Sequence, residues 1–261
     1  MDDMTIDFSR PKYDLEISPP LMNAAGSLGY FPLPGGWVDL SQLGTFVTNP
    51  ISLRKRTPAN NRTCQAYPGG LLVHSGFPNP GLRLAIRRYA QRWERSSLPI
   101  IVHLLVDRPE DVPGMVIQLE ELEGVMGIEI GLPPDCDPES AVDLVQAAVG
   151  ELPLIVRVPM EQAGEITASL VNSSVSAISL APPRGALVAS EGRIVHGRLF
   201  GPAVFPIALA SLQEVVKTGV PVIAAGGVYE PWQVKAFLEV GASAVQLDTV
   251  LWSLGWEESV G

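Results

Sequence analysis

The 261-residue chain is short of charge, and of positive charge in particular. Only 18% of its residues are Asp, Glu, Lys or Arg, and 18 Lys and Arg face 28 Asp and Glu. The formal charge of −10 at pH 7 excludes nucleic acid or an anionic membrane surface as the main partner, because both are recognised through clustered cations. Cysteine is scarcer still. Cys64 and Cys136 are too few for a disulfide scaffold and too far apart for a zinc-ligand motif. The three histidines, His74, His103 and His196, fall in no local ligand pattern, so no metal site is expected. No apolar stretch approaches the roughly 18 uninterrupted residues of a membrane span. The acidic opening Met1-Asp2-Asp3-Met4 lacks the positive region of a secretory signal, which makes the cytoplasm the expected compartment.

Glycine and proline are in surplus. The 25 Gly and 24 Pro make up about 19% of the chain, where average usage gives roughly 12%. Short apolar, β-branched runs recur at 21–25, 45–48, 100–105, 127–130, 154–158, 177–180, 220–224 and 244–247. Their continuous hydrophobicity fits strands buried on both faces, as in a parallel sheet covered by helices. Helical patterns fill most of the intervals, at 82–95, 109–121, 138–149, 160–171, 202–217 and 231–240. Several open with Pro near the first helical position, and Gly150, Gly219 and Gly241 lie just past last turns, the asymmetry expected of helix ends.

Eight strand–helix alternations in a chain close to the roughly 250 residues of a closed barrel predict an α/β fold, a (β/α)8 TIM barrel. A doubly wound open sheet is the alternative. One domain is expected over 1–261: an N-terminal extension at 1–17, the barrel at 18–252 and a tail at 253–261. Residues 7–17 read as a short hairpin or plug across the barrel bottom.

In this fold function sits in the loops after the strands. Gly226-Gly227 follows strand seven, with Pro231 opening the next helix, and Asp248-Thr249 follows strand eight. Bare backbone and a helix N-terminus at that place suit a phosphate-bearing ligand. Asp248 opposes it, since a carboxylate repels phosphate unless it turns away or a cation intervenes. Glu129, between apolar neighbours in strand four, needs a partner, and Arg157 on the next strand is the expected one. His103, in an apolar strand, reads as a core histidine. His74, in the long segment after strand two, is the candidate acid or base. Arg54-Lys55-Arg56 with Arg62 reads as a solvated loop, Asp135 and Asp137 as caps for the helix opening at Pro138, and 185–200 as a mobile loop over the mouth.

Taken in order, several segments resemble the dihydroorotate dehydrogenase family of FMN barrels. They are Asn23-Ala24-Ala25-Gly26-Ser27-Leu28-Gly29, Leu43-Gly44-Thr45-Phe46-Val47-Thr48, Gly70-Leu71-Leu72 with Gly76-Phe77 and Asn79-Pro80-Gly81, Phe200-Gly201-Pro202-Ala203, Gly226-Gly227-Val228 and Gly241-Ala242-Ser243-Ala244-Val245-Gln246. The likeness runs over roughly 15–252. It implies FMN across the mouth, with Ala24, Ala25 and Gly26 near the isoalloxazine ring. Gly226, Gly227 and Thr249 would hold the phosphate, helped by the backbone near Gly201. It also implies a small-molecule substrate of pyrimidine type, and a homodimer or an electron-transfer subunit as partner.

The sequence departs from that family where its chemistry lies. The lysine expected after strand two is Asn49, and that of strand five is Arg157, charged but forked and bulkier. The asparagines that grip the pyrimidine fall at Val73, Gly131 and Ala181, which offer no side-chain hydrogen bond. Proline stands at the position of the catalytic base in Gly131-Leu132-Pro133-Pro134-Asp135-Cys136, leaving Cys136 two residues later as the candidate base. Arg198 and Phe200 replace a Gly and a Ser. Three readings follow: a flavin oxidoreductase with altered or lost dihydroorotate activity, a non-catalytic barrel subunit, or a phosphate-ligand enzyme using His74 or Glu129 as base.

Overall fold

A computed structural model of the chain describes residues 17–33, 38–189 and 192–252; apart from Ile17, the expected hairpin or plug at 7–17 lies outside them. Thirteen strands appear among the described residues. In chain order they are β1 (Leu21–Asn23), β2 (Phe46–Val47), β3 (Ile51–Ser52), β4 (Thr63–Tyr67), β5 (Gly70–His74), β6 (Ile100–Leu105) and β7 (Val125–Gly131). β8 (Leu154–Pro159), β9 (Ala177–Ala181), β10 (Arg184–Val188), β11 (Ile194–Phe200), β12 (Val222–Ala225) and β13 (Ala244–Leu247) follow. The α-helices are α1 (Leu82–Glu94), α2 (Val112–Glu120), α3 (Pro138–Ala148), α4 (Ala163–Leu170), α5 (Phe205–Val215) and α6 (Pro231–Val240).

Eight parallel strands form the barrel, in the order β1-β13-β12-β9-β8-β7-β6-β2, with β3 extending the pairing of β6. A parallel bridge from Met22 to Thr45 brings β2 back beside β1. Where their backbones part, the Asn23 side chain substitutes for the ladder: its Oδ1 accepts from Val47 N at 2.9 Å and its Nδ2 donates to Val47 O at 2.7 Å. The doubly buried strands expected from the apolar runs are present, every residue of β8 and β9 being buried. Asp137 caps α3 by accepting from Ser140 N at 2.8 Å. Gly219 and Gly241 end their helices in the left-handed conformation that a Cβ disfavours.

Side chains alternate in and out along each strand, so the barrel interior fills in layers. The lowest is apolar: Ile17, Met22, Val47, Ile101, Ile155, Ala177, Ile223 and Ala244 pack together. Two residues further along four of these strands stand His103, Arg157, Ser179 and Gln246, all buried, with buried Glu129 on β7. The barrel is therefore an oil-filled cup with a polar layer under its mouth.

Two expectations need correction. No α-helix is found between β1 and β2 among the described residues; Trp93 of α1 instead donates its indole N–H to Tyr30 O at 2.7 Å, and Tyr89 stacks on Tyr30 at 5.1 Å. The segments read as long loops after strands two and six are not loops. They meet in a four-stranded antiparallel sheet, β10-β11-β5-β4, standing beside the mouth.

Candidate functional site

The mouth holds a cavity of about 960 Å³, a volume at the upper end for small-molecule sites. Its floor is the polar layer. Glu129 is fully buried and accepts three hydrogen bonds: from Ser179 Oγ at 2.7 Å, from Gln246 Nε2 at 2.7 Å, and from His103 Nδ1 at 2.5 Å. Arg157 Nη1 lies 3.9 Å from the same carboxylate. Burial alone would raise the Glu129 carboxyl, but the His103 hydrogen bond, the charges beside it and the Ser179 hydroxyl hold it ionised, down to about 2. Burial pushes His103 below its ordinary value against the opposing pull of Glu129. A neutral ring donating from Nδ1 carries no proton on Nε2, which is left as the basic nitrogen.

His103 and Glu129 meet because of a one-residue shift in the pairing of β6 with β7 between Ile100 and Ile101, after which His103 stands opposite Glu129. Space beside the imidazole exists because residue 131 is glycine: a Cβ there would lie 2.8 Å from His103 Nε2. His103 and Gly131 both line the cavity, so the expected core histidine is in fact a group at the site.

Cations dominate the upper wall. Arg198, from β11, donates to Pro182 O at 2.9 Å and faces the cavity with Arg157. Arg56 pairs with Asp107 at 2.6 Å and Arg184 with Asp135 at 2.8 Å. Phe77 and Trp252, both about half exposed, add apolar rim.

The opposite side of the mouth, after β12 and β13, is closed. Asp248 is buried, and its carboxyl accepts from Thr249 N–H and from Thr249 Oγ1 at 3.0 Å; burial pushes it above the ordinary aspartate value against the opposing pull of Thr249, the Arg157 charge and the Gly227 backbone. Tyr229 O–H in turn donates to Thr249 Oγ1 at 2.8 Å. Gln233 Oε1 accepts from Tyr229 N at 2.6 Å and Glu230 N at 2.8 Å, while the Glu230 side chain caps the first turn of α6. The glycines there serve packing. A Cβ on Gly227 would sit 2.2 Å from Phe205 N, and one on Gly226 2.9 Å from Met160 Cε. Gly201 abuts the β4–β5 turn, a Cβ there falling 2.4 Å from Gly70 Cα.

The residues singled out from sequence therefore divide. Ala24, Ala25, Gly26, His74, Arg157 and Thr249 line the cavity. Gly201, Gly226 and Gly227 lie off it, their space filled by protein. Asn49 also lies off it, its Oδ1 accepting from Gly29 N at 3.1 Å to fix the loop after β1. Cys136 is buried away from the cavity, its Sγ donating to Asp137 O at 3.5 Å, with burial and the nearby Asp137 charge pushing the thiol up to about 11. Among the described residues no cluster of His, Cys, Asp and Glu could hold a metal ion, and no helix is long and apolar enough to cross a membrane.

Barrel, cavity and polar floor define an α/β barrel with its ligand site at the strand ends. The family model for nitronate monooxygenase matches residues 158–257. Across nearly the whole chain the similarity is to the catalytic subunits of dihydroorotate dehydrogenase B (NAD(+)). That of Pelobacter propionicus is 30% identical over 95% of this chain and 87% of its own length. That of Trichlorobacter lovleyi is 28% identical over 90% and 84%, and that of Bacillus thuringiensis 26% over 90% and 83%. The chain belongs to the dihydroorotate dehydrogenase family.

FMN is the cofactor that membership implies. The β1 loop and Arg157 offer wall for a flavin ring. The phosphate end does not fit: Thr249 N–H and O–H already bind Asp248, Glu230 and Gln233 engage the start of α6, and Gly201, Gly226 and Gly227 do not border the cavity.

Proposed function

We propose that this chain is a divergent dihydroorotate dehydrogenase relative that does not oxidise dihydroorotate. Its cavity takes a small organic anion, and His103 oriented by Glu129 carries the proton chemistry. The buried His103–Glu129 pair beside Arg157 is the observation that carries this reading. A neutral imidazole with one nitrogen tied to a carboxylate and the other beside open space is poised as a general base. The guanidiniums of Arg157 and Arg198 favour an anionic ligand, since forked donors match carboxylates.

The same wall disfavours dihydroorotate. Val73, Gly131 and Ala181 line the cavity where the resemblance expects amide grips. A site stripped of such donors loses discrimination for a polar substrate by up to about 10⁴–10⁵. The loop that would hold the usual base presents Pro133 and Pro134 to the cavity, and proline accepts no proton. Dye reduction driven by dihydroorotate, with FMN added, tests the reading. No turnover above the protein-free rate is expected, and sustained turnover lost in Cys136→Ser would overturn it.

A further inference from the structure

We propose that the Asp248 side chain occupies the phosphate position of this barrel, so that the chain does not take up FMN through its phosphate. The inference rests on the β12–β13 end alone and is independent of the His103–Glu129 reading.

Loops after the seventh and eighth barrel strands are where this fold ordinarily presents backbone N–H groups to a phosphate. In this chain Thr249 N–H and Thr249 O–H both donate to Asp248, and the Gly227 backbone favours the charged form of the same carboxyl. The Asp248 carboxyl thus takes from within the protein donors that a phosphate oxygen would otherwise use. The neighbouring helix end repeats the pattern. The first turn of α6 is capped by the Glu230 carboxylate, and the N–H groups of Tyr229 and Glu230 bind Gln233. A phosphate there would meet the Asp248 carboxyl and find the Thr249, Tyr229 and Glu230 donors engaged.

The glycines of this end are also set back from the cavity. Here the positions of Gly226 and Gly227 face Met160, Val204 and the backbone of Phe205, and Gly201 faces Gly69 and Gly70. None of the three glycines borders the cavity, whereas Asp248 does. The glycines set back from the cavity and the Asp248 side chain that borders it are thus separate observations with one consequence.

Titrating the purified full-length chain with FMN and with riboflavin, followed by flavin fluorescence and equilibrium dialysis, tests this. Riboflavin shares the ring and lacks the phosphate. Wild type is expected to bind FMN no better than riboflavin. Asp248→Gly is expected to gain at least about tenfold in FMN affinity, equivalent to about 1.4 kcal/mol, with inorganic phosphate competing and riboflavin unaffected. Asp248→Asn, which keeps the volume, is the second variant should the glycine form fail a circular-dichroism check of folding; it is expected to shift the FMN-to-riboflavin preference in the same direction. Stoichiometric FMN in wild type with a clear preference over riboflavin overturns the proposal. So does failure of the folded variants to gain FMN affinity. Dihydroorotate turnover is read separately, so either proposal fails without the other.

Discussion

The two sides of the mouth are built from the same barrel and treat ligand-binding groups in opposite ways. On the β6–β8 side, polar side chains are buried in pairs yet border an open cavity: Glu129 holds His103, and Arg157 stands near both. On the β12–β13 side the donors are backbone groups, and the protein's own side chains occupy them. Both sides pair most of their buried polar groups, as folding requires, although Gln246 Oε1 in the floor has no partner among the described residues. Only the first does so with an unpaired His103 nitrogen and with Arg157 and Arg198 bordering the cavity. Family membership is a statement about the whole barrel, whereas function depends on which side kept its site open.

Breaking the open side has the largest expected effect. Glu129→Gln removes the charge that balances Arg157 in a fully buried layer, and truncating one member of such a pair costs about 3–5 kcal/mol. Denaturant unfolding of the variant measures it; a loss below about 1 kcal/mol would mean that the pair is not the keystone of the floor. The same pair sets an acid limb. His103 and Glu129 both have folded-state values below their unfolded ones, so the unfolded chain binds more protons as pH falls. Their contribution is complete above the ordinary histidine value of about 6.5. It then declines first through His103 and, below the ordinary glutamate value of about 4.3, through Glu129. Thermal unfolding between pH 8 and pH 4 should show the decline, and His103→Asn should remove its upper part.

Breaking the closed side costs somewhat less and fails for a different reason. Gly227 has φ +75°, and a Cβ would strike the Phe205 backbone. Gly227→Ala is therefore expected to lose about 1–3 kcal/mol by overpacking. Gly29→Ala is the control: its φ is also positive, at +92°, but nothing lies within 4 Å of the added carbon. If the two variants unfold alike, strain rather than packing governs Gly227, and its space is more open than the contacts indicate.

Local pattern announced the barrel. The β8 run 154–158 is apolar throughout, Pro138 and Pro231 open helices, and Glu129 between apolar neighbours demanded a partner. The structure gives it Arg157 at 3.9 Å but places His103 nearer. What stayed hidden depends on distant pairing. The β5–β11 match joins Val73 to Arg198, and the half-exposed alternation of β4 and β10 resembles loop polarity when neither partner is in view. His103 faces Glu129 through a register shift that no periodicity encodes. Asp248 was visible as a discordant charge, yet which donors it meets is a property of two loops folded together.

The smallest expected effect concerns the loop that follows β7, on the open side. Cys136 was the sequence candidate for a base, and its chemistry now depends on burial. A thiol pushed up to about 11 by desolvation and by Asp137 is about one part in a thousand thiolate at pH 8, and its side chain does not border the cavity. Thiolate, not thiol, is the reactive form. Exposed Cys64 should therefore react with an aromatic disulfide reagent in the native protein, giving one equivalent promptly and the second only after denaturation. Cys136→Ser should leave riboflavin and FMN titrations of the native chain within experimental error of wild type. Two prompt equivalents from the native protein would place Cys136 at the mouth after all, and would move the proton chemistry from the β6–β7 floor to the loop that follows β7.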